Sequence, residues 1–223
     1  GALAIALEHD LHSSASRAYN NLLVALDAAD RISESFALNE QAIEFARRVG
    51  DRGQEAAFVG GSVGSLYLVG RWDEALLRAR DASETASTTF AQSTLLDVVH
   101  LHCERGEPEV ARELLDRFAA VGESDSDEAV AGYKVYAART LRAEGRLQEA
   151  LATAEAALAA RGTIGMTSWG TKGGVAEALE CSLALGDVAK TQELLGIIDA
   201  LRPGELTPIF RGIRARVRGL LAA

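Results

Sequence analysis

A short turn signal recurs along this chain at a nearly constant interval, and that recurrence limits the folds open to it more than any other feature. Its fullest form is Gly70-Arg71-Trp72-Asp73-Glu74-Ala75-Leu76. A glycine ends one helix, a bulky apolar residue plugs the corner, and acids start the next helix. Relatives are Asp30-Arg31-Ile32-Ser33-Glu34-Ser35, Gly106-Glu107-Pro108-Glu109-Val110-Ala111, Gly145-Arg146-Leu147-Gln148-Glu149-Ala150 and Gly186-Asp187-Val188-Ala189-Lys190-Thr191. Their first residues lie at 30, 70, 106, 145 and 186, so the spacings are 40, 36, 39 and 41. A helix–turn–helix signal with that period marks a stacked array of helical hairpins.

The rest of the sequence agrees. Only three prolines, at 108, 203 and 208, interrupt 223 residues rich in alanine, leucine, glutamate and arginine, which are good helix formers. The alternating Val/Ile/Thr/Tyr pattern of strands is missing. The expected fold class is all-α, with twelve helices in one domain over 1–223. A residual helix occupies 1–12 and hairpins occupy about 13–50, 51–88, 89–122, 123–164 and 165–202. Residues 203–223 form a capping helix with Phe210, Ile213, Val217 and Leu220 on one side. Helix 51–69 carries Gly53, Gly60, Gly61 and Gly64, each costing about 1 kcal/mol against alanine. A helix or a ligand approaching the backbone closely is needed to offset that cost.

A net charge of −9 argues against nucleic acid as the main partner, since a phosphate backbone demands a basic footprint. Cys103 and Cys181 are 78 residues apart with no CxxC pattern, which reads as two small buried residues of a cytoplasmic protein. No window approaches 18 uncharged apolar residues, so no membrane span is expected, and no signal peptide is expected either. The start at Gly1-Ala2, already helical in pattern, reads as a fragment of a longer protein.

At its turns the chain resembles the tetratricopeptide repeat family. That unit has a glycine or asparagine at the turn, a bulky residue two further on and a small residue at the fifth position after it. Gly70, Trp72 and Ala75 match, as do Gly145, Leu147 and Ala150, and Gly106, Pro108 and Ala111. Gly186 and Val188 are followed by Thr191, and Asp30, Ile32 and Ser35 form the weakest set. The period is nearer 40 than the family's figure of about 34. Longer repeats of this style are similar to those in the C-terminal regions of large bacterial regulators, LuxR-type proteins and ATPase-coupled class III nucleotide cyclases. The stretches 17–22 and 47–52 carry that likeness along with the turn at 70–75.

The resemblance implies a right-handed superhelical solenoid whose first helices line a concave groove. Its inner-face positions fall on Arg17, Asn20, Val24 and Asp27, then Gly60, Gly64 and Tyr67, then Leu96, His100 and Cys103. They continue with Val135, Arg139 and Arg142, and with Ala176, Glu180 and Leu183. Partner contacts are expected at Arg17, Asn20, Asp27, Tyr67, His100, Arg139, Arg142 and Glu180, with Asn20 on a peptide backbone and Arg139 with Arg142 on a carboxylate. The implied function is a non-catalytic scaffold holding a peptide, a protein or another domain of the parent chain. The alternative is a small-molecule sensor near helix 51–69 that controls a cyclase or ATPase domain elsewhere in that chain.

Other residues suggest chemistry without completing it. His100 and Cys103 share a helical face, but a zinc site needs three or four ligands. Gly165–Lys172 has the glycine spacing of a phosphate loop, yet its lysine comes one residue late and no strand precedes it. Glu123, Asp125, Asp127 and Glu128 lack the glycine and glutamate of a calcium loop. Arg211, Arg214, Arg216 and Arg218 crowd the last helix with no acid close in sequence. No catalytic residue set and no cofactor site is expected.

Overall fold

The structure, a computed structural model, describes residues 1–83 and 89–222. Among them every regular element is helical and no strand forms. The chain divides into two compact units, Gly1–Leu101 and His102–Ala223. The first contains α1 (Ala2–Glu8), α2 (His12–Ala28), α3 (Ile32–Val49), α4 (Arg52–Leu68), α5 (Trp72–Ser83) and α6 (Thr89–Leu95), and α7 (Asp97–Glu104) starts in it. The second contains α8 (Pro108–Arg117), α9 (Ala119–Gly122), α10 (Asp127–Ala143), α11 (Leu147–Leu158), α12 (Arg161–Ile164), α13 (Trp169–Ala184), α14 (Val188–Asp199) and α15 (Pro208–Ala222).

Three segments exceed the twelve expected. The first helix of the hairpin expected over about 89–122 breaks at Leu96, whose N–H bonds back only three residues to Ser93, and single turns form at α9 and α12. Leu96 is 1% exposed, so burial of a core leucine accompanies the break and no glycine or proline announces it. The hairpin boundary expected at 88–89 touches residues 84–88, outside the described residues.

The corners share one construction. Asp10, Asp30, Gly50, Gly70, Gly106, Gly145 and Gly186 all have φ between 51° and 78°. At Gly70 the amide donates to Tyr67 O at 3.1 Å and the next amide, Arg71, donates to Leu66 O at 2.9 Å. Gly145 repeats this with Arg142 O at 3.0 Å, and Arg146 with Leu141 O at 2.9 Å. The pair of bonds is the Schellman closure, which satisfies carbonyls that a helix end leaves orphaned. Aspartate replaces glycine at 10 and 30 because its short polar side chain tolerates the left-handed region. In the first unit these corners fall at 10, 30, 50 and 70, so connections within and between hairpins are built alike.

Burial grades the corner positions. The fifth residue after the turn is sealed at Ala15, Ser35, Ala75, Ala111, Ala150 and Thr191, each at most 2% exposed, whereas Glu55, five after Gly50, is only part-buried. Only a small residue fits the sealed positions. Thr191 is accommodated because its hydroxyl lies 2.8 Å from Asp187 O and 2.9 Å from Ser182 Oγ, with a hydrogen-bond partner on either side. The bulky second residue is less enclosed. Trp72 is half-buried, stacked on Tyr67 at 6.1 Å with its Nε1 donating to Tyr67 O at 3.1 Å, and Val188 is 52% exposed.

Glycine inside helices marks close helix contacts. A Cβ at Gly60 would run into the Thr94 side chain and one at Gly64 into the Asp97 carboxylate, so α6 and α7 account for two of the four glycines of α4. In the second unit a Cβ at Gly173 would lie 2.6 Å from Val135 Cγ1, and one at Gly170 2.8 Å from Ala131 Cβ. These glycines let α13 lie hard against α10. The apolar seam of the second unit runs through Ala138, Ala154, Val175, Leu179, Leu194 and Ile198 and is closed by Phe210 and Val217 of α15. That of the first unit gathers Ala6, Tyr19, Ile43, Phe45 and Phe58.

Candidate functional site

In the first unit the expected contact residues divide by exposure. Arg17 and Asp27 on α2 are exposed, and Val24 between them is 63% exposed, which is unusual for valine. Asn20 faces its own chain and donates from Nδ2 to Gln54 Oε1 of α4 at 3.3 Å. Tyr67 is half-buried between Trp72 and His100, its ring 5.3 Å from the imidazole in an edge-on contact. His100 is 1% exposed and packs in the core. Its expected contact with a partner is therefore corrected to an internal one, since no surface of it remains to be touched.

A second feature of this unit lies on another side of α4. Glu40, Ile43 and Arg47 of α3, Arg52, Glu55, Ala56 and Val59 of α4, and Arg78, Asp81 and Ala82 of α5 enclose a cleft of about 310 Å³. Arg78 spans its rim, joined to Glu40 of α3 and to Glu74 at 2.8 Å, and donating to Ser62 Oγ at 3.2 Å. Burial works against the Arg78 charge, but the Glu40 and Glu74 carboxylates outweigh it and raise its pKa above the ordinary value. Arg71 and Arg78 also flank the Phe36 ring at 5.6 and 5.8 Å.

In the second unit the expected arginines already hold a carboxylate of their own chain. Glu177 of α13 is 0% exposed, and it accepts from Arg139 at 2.5 Å and from Arg142 at 2.8 Å. Arg139 reaches Glu104 at 3.4 Å as well. Burial opposes the Arg142 charge while Glu177 favours it, with a net rise in pKa. The carboxylate expected from a partner is thus supplied internally, because a buried glutamate needs both guanidinium groups. Glu180 likewise pairs with Arg216 of α15.

The remaining sequence candidates resolve into structure. Arg218 meets Asp199 at 2.7 Å and Arg214 meets it at 3.8 Å, so folding brings acids to the basic last helix. Lys172, the lysine of the phosphate-loop-like stretch, is 2% exposed, and Ser168 caps α13 by accepting from the Thr171 amide at 3.3 Å. The cap of α10 is Ser126, which accepts from the Ala129 amide at 3.3 Å. Among the described residues no three His, Cys, Asp or Glu side chains gather to hold a metal. No described helix is long and apolar enough to cross a membrane. Burial raises the thiol pKa of Cys103, and that of Cys181 to about 11, so neither is an activated nucleophile.

Sequence reasoning passed over Glu177, Glu40 and Arg78, although one signal identifies them. The ion pairs join residues about one repeat apart and of opposite sign: 40 with 78, 139 with 177, 155 with 190, and 180 with 216. Comparison with known proteins adds nothing to these residues: no family model matches the chain, and no curated protein resembles it significantly.

Proposed function

We propose that the chain is a tetratricopeptide-like scaffold, a right-handed superhelical array of helical hairpins within a larger bacterial signalling or transcription-regulating protein. It holds a peptide or a partner domain and carries no catalytic residues of its own. The observation behind this reading is the series of left-handed corners at 30, 70, 106, 145 and 186, each followed five residues later by a sealed small residue. Corners of one kind at a near-constant interval build a stack whose inner helices share one face. The part of that face open to a partner is the α2 stripe of Arg17, Val24 and Asp27, an apolar centre between opposite charges.

Peptides selected against the chain from a random display library test this reading. Arg17→Glu combined with Val24→Asp is expected to weaken the selected peptides at least tenfold while leaving the melting temperature in place. Peptides indifferent to both changes would remove α2 as the binding face. A second reading, control by a small molecule of a cyclase or ATPase domain elsewhere in the parent chain, is favoured by the cleft on α4.

A further inference from the structure

We propose that the cleft between α3, α4 and α5 binds a small zwitterion with an apolar spacer between its ammonium and its carboxylate, the class to which dipeptides of apolar residues belong. The proposal rests on the small-molecule reading and names its ligand. It is independent of the α2 face.

The charges of the cleft are balanced overall but unevenly placed. At one end Glu55, whose side chain is 16% exposed, is shared by Arg47 at 2.7 Å and Arg52 at 3.2 Å. Two guanidinium groups on one carboxylate leave an excess positive charge, and both arginines are well exposed, at 61% and 82%. At the other end the relation is reversed. Arg78, 22% exposed, is paired with Glu40 of the lining and with Glu74 outside it, and Asp81 of the lining gives this end its excess negative charge. Asp81 has Arg80 beside it at 3.5 Å, with both side chains more than 60% exposed, a pairing that solvent largely screens. The rest of the lining is apolar: Ile43, Ala56, Val59 and Ala82.

A ligand matching this pattern offers a carboxylate to Arg47 and Arg52, an ammonium to Glu40 and Asp81, and an apolar body to the floor. Arginine presents a planar fork that fits a carboxylate, and its exposed donors remain available while one face holds Glu55. A volume of about 310 Å³ lies at the small end of ligand pockets and suits a molecule of this size. A ligand of single charge would leave one end unanswered.

Amide NMR titration of the whole chain with the dipeptide Leu-Leu, its N-acetyl derivative and its C-terminal amide is the test. The dipeptide is expected to shift resonances in 40–47, 52–59 and 78–82 saturably. Each blocked form should bind about fivefold more weakly, the upper range for one exposed ion pair. Arg52→Gln should weaken the dipeptide by a similar factor yet leave the amide form unaffected. Asp81→Asn should weaken the dipeptide yet leave the N-acetyl form unaffected. The blocked ligands probe the unaltered protein, so the test does not hang on the folding of a variant. Equal binding of all three ligands, or shifts that ignore the matched substitutions, would overturn the charge assignment. If the dipeptide gives no shift up to about 10 mM, beyond the 1 mM that marks weak binding, the ligand class is wrong. A hit from a thermal-shift panel of metabolites that moves the same resonances would then leave the sensing reading standing, and its absence would remove both.

Discussion

Removing Arg139 and Arg142 together strands a carboxylate where water cannot reach it. Glu177 is 0% exposed, while its partners are 14% and 28% exposed, so the glutamate is the buried member of the group. Breaking a buried pair from one side typically costs about 3–5 kcal/mol, because the remaining charge is uncompensated. Partial exposure of the arginines lets some water in when they are shortened, so Arg139→Ala/Arg142→Ala is expected near the lower figure, about 3 kcal/mol. With a urea slope of about 1–3 kcal/mol per molar, the midpoint should fall by on the order of 1–3 M. Trp169 reports on the second unit, its Nε1 donating to Tyr136 Oη at 3.1 Å, so fluorescence in a Trp72→Phe background follows that unit alone. Adding Glu177→Leu removes the stranded charge and should recover most of the loss, since apolar replacement of a whole buried ionic group is often neutral or better. A double variant that loses under about 1 kcal/mol, the size of a surface change, would refute the reasoning. So would a triple variant no more stable than the double.

The glycines of the second unit offer a matched pair of tests. Gly173→Ala should destabilise by about 1–2 kcal/mol, an overpacking cost against Val135 reduced by the gain in helix propensity. Gly132→Ala, where a Cβ meets nothing within 4 Å, should instead stabilise by up to about 1 kcal/mol in the same urea assay. Trp72→Ala should cost about 2 kcal/mol by thermal or chemical unfolding, roughly half the value for a fully buried aromatic, because the ring is half-buried. Hydrogen bonds from Arg202, first from its side chain and then from its amide, hold the Glu205 carboxyl down at about 2. Its contribution is therefore complete above the ordinary glutamate range and is lost as pH falls from there towards 2. An NMR titration should find it ionising near 2, and Arg202→Ala should raise it, with the retained amide of residue 202 still holding it below the ordinary range.

Much of the fold was legible because corners are written locally. A left-handed position needs glycine or aspartate, the position five later, where it is sealed, needs a small side chain, and both leave a mark in the sequence. The break at Leu96 left none, because it comes with packing of α6 and α7 against Gly60 and Gly64 of α4. The site was harder to read for the same reason. A family's inner-face positions identify side chains near a groove, but they do not say which are consumed by the chain itself. Arg139 and Arg142 look like free cations until α13 delivers Glu177 between them. His100 looks like a contact residue until Tyr67 closes over it.

The row of charges in the second unit alternates in sign from one hairpin to the next. Glu104 meets Arg139, Arg139 and Arg142 meet Glu177, and Glu180 meets Arg216. This alternation makes the loss of a single hairpin costly. Deleting the hairpin that carries Arg139 and Arg142 would bring Glu104 against Glu177, and deleting the one that carries Glu177 and Glu180 would bring Arg139 against Arg216. Neighbouring modules can be removed two at a time with the alternation intact, but not singly. The pairing thus acts as a parity check on the number and order of the hairpins.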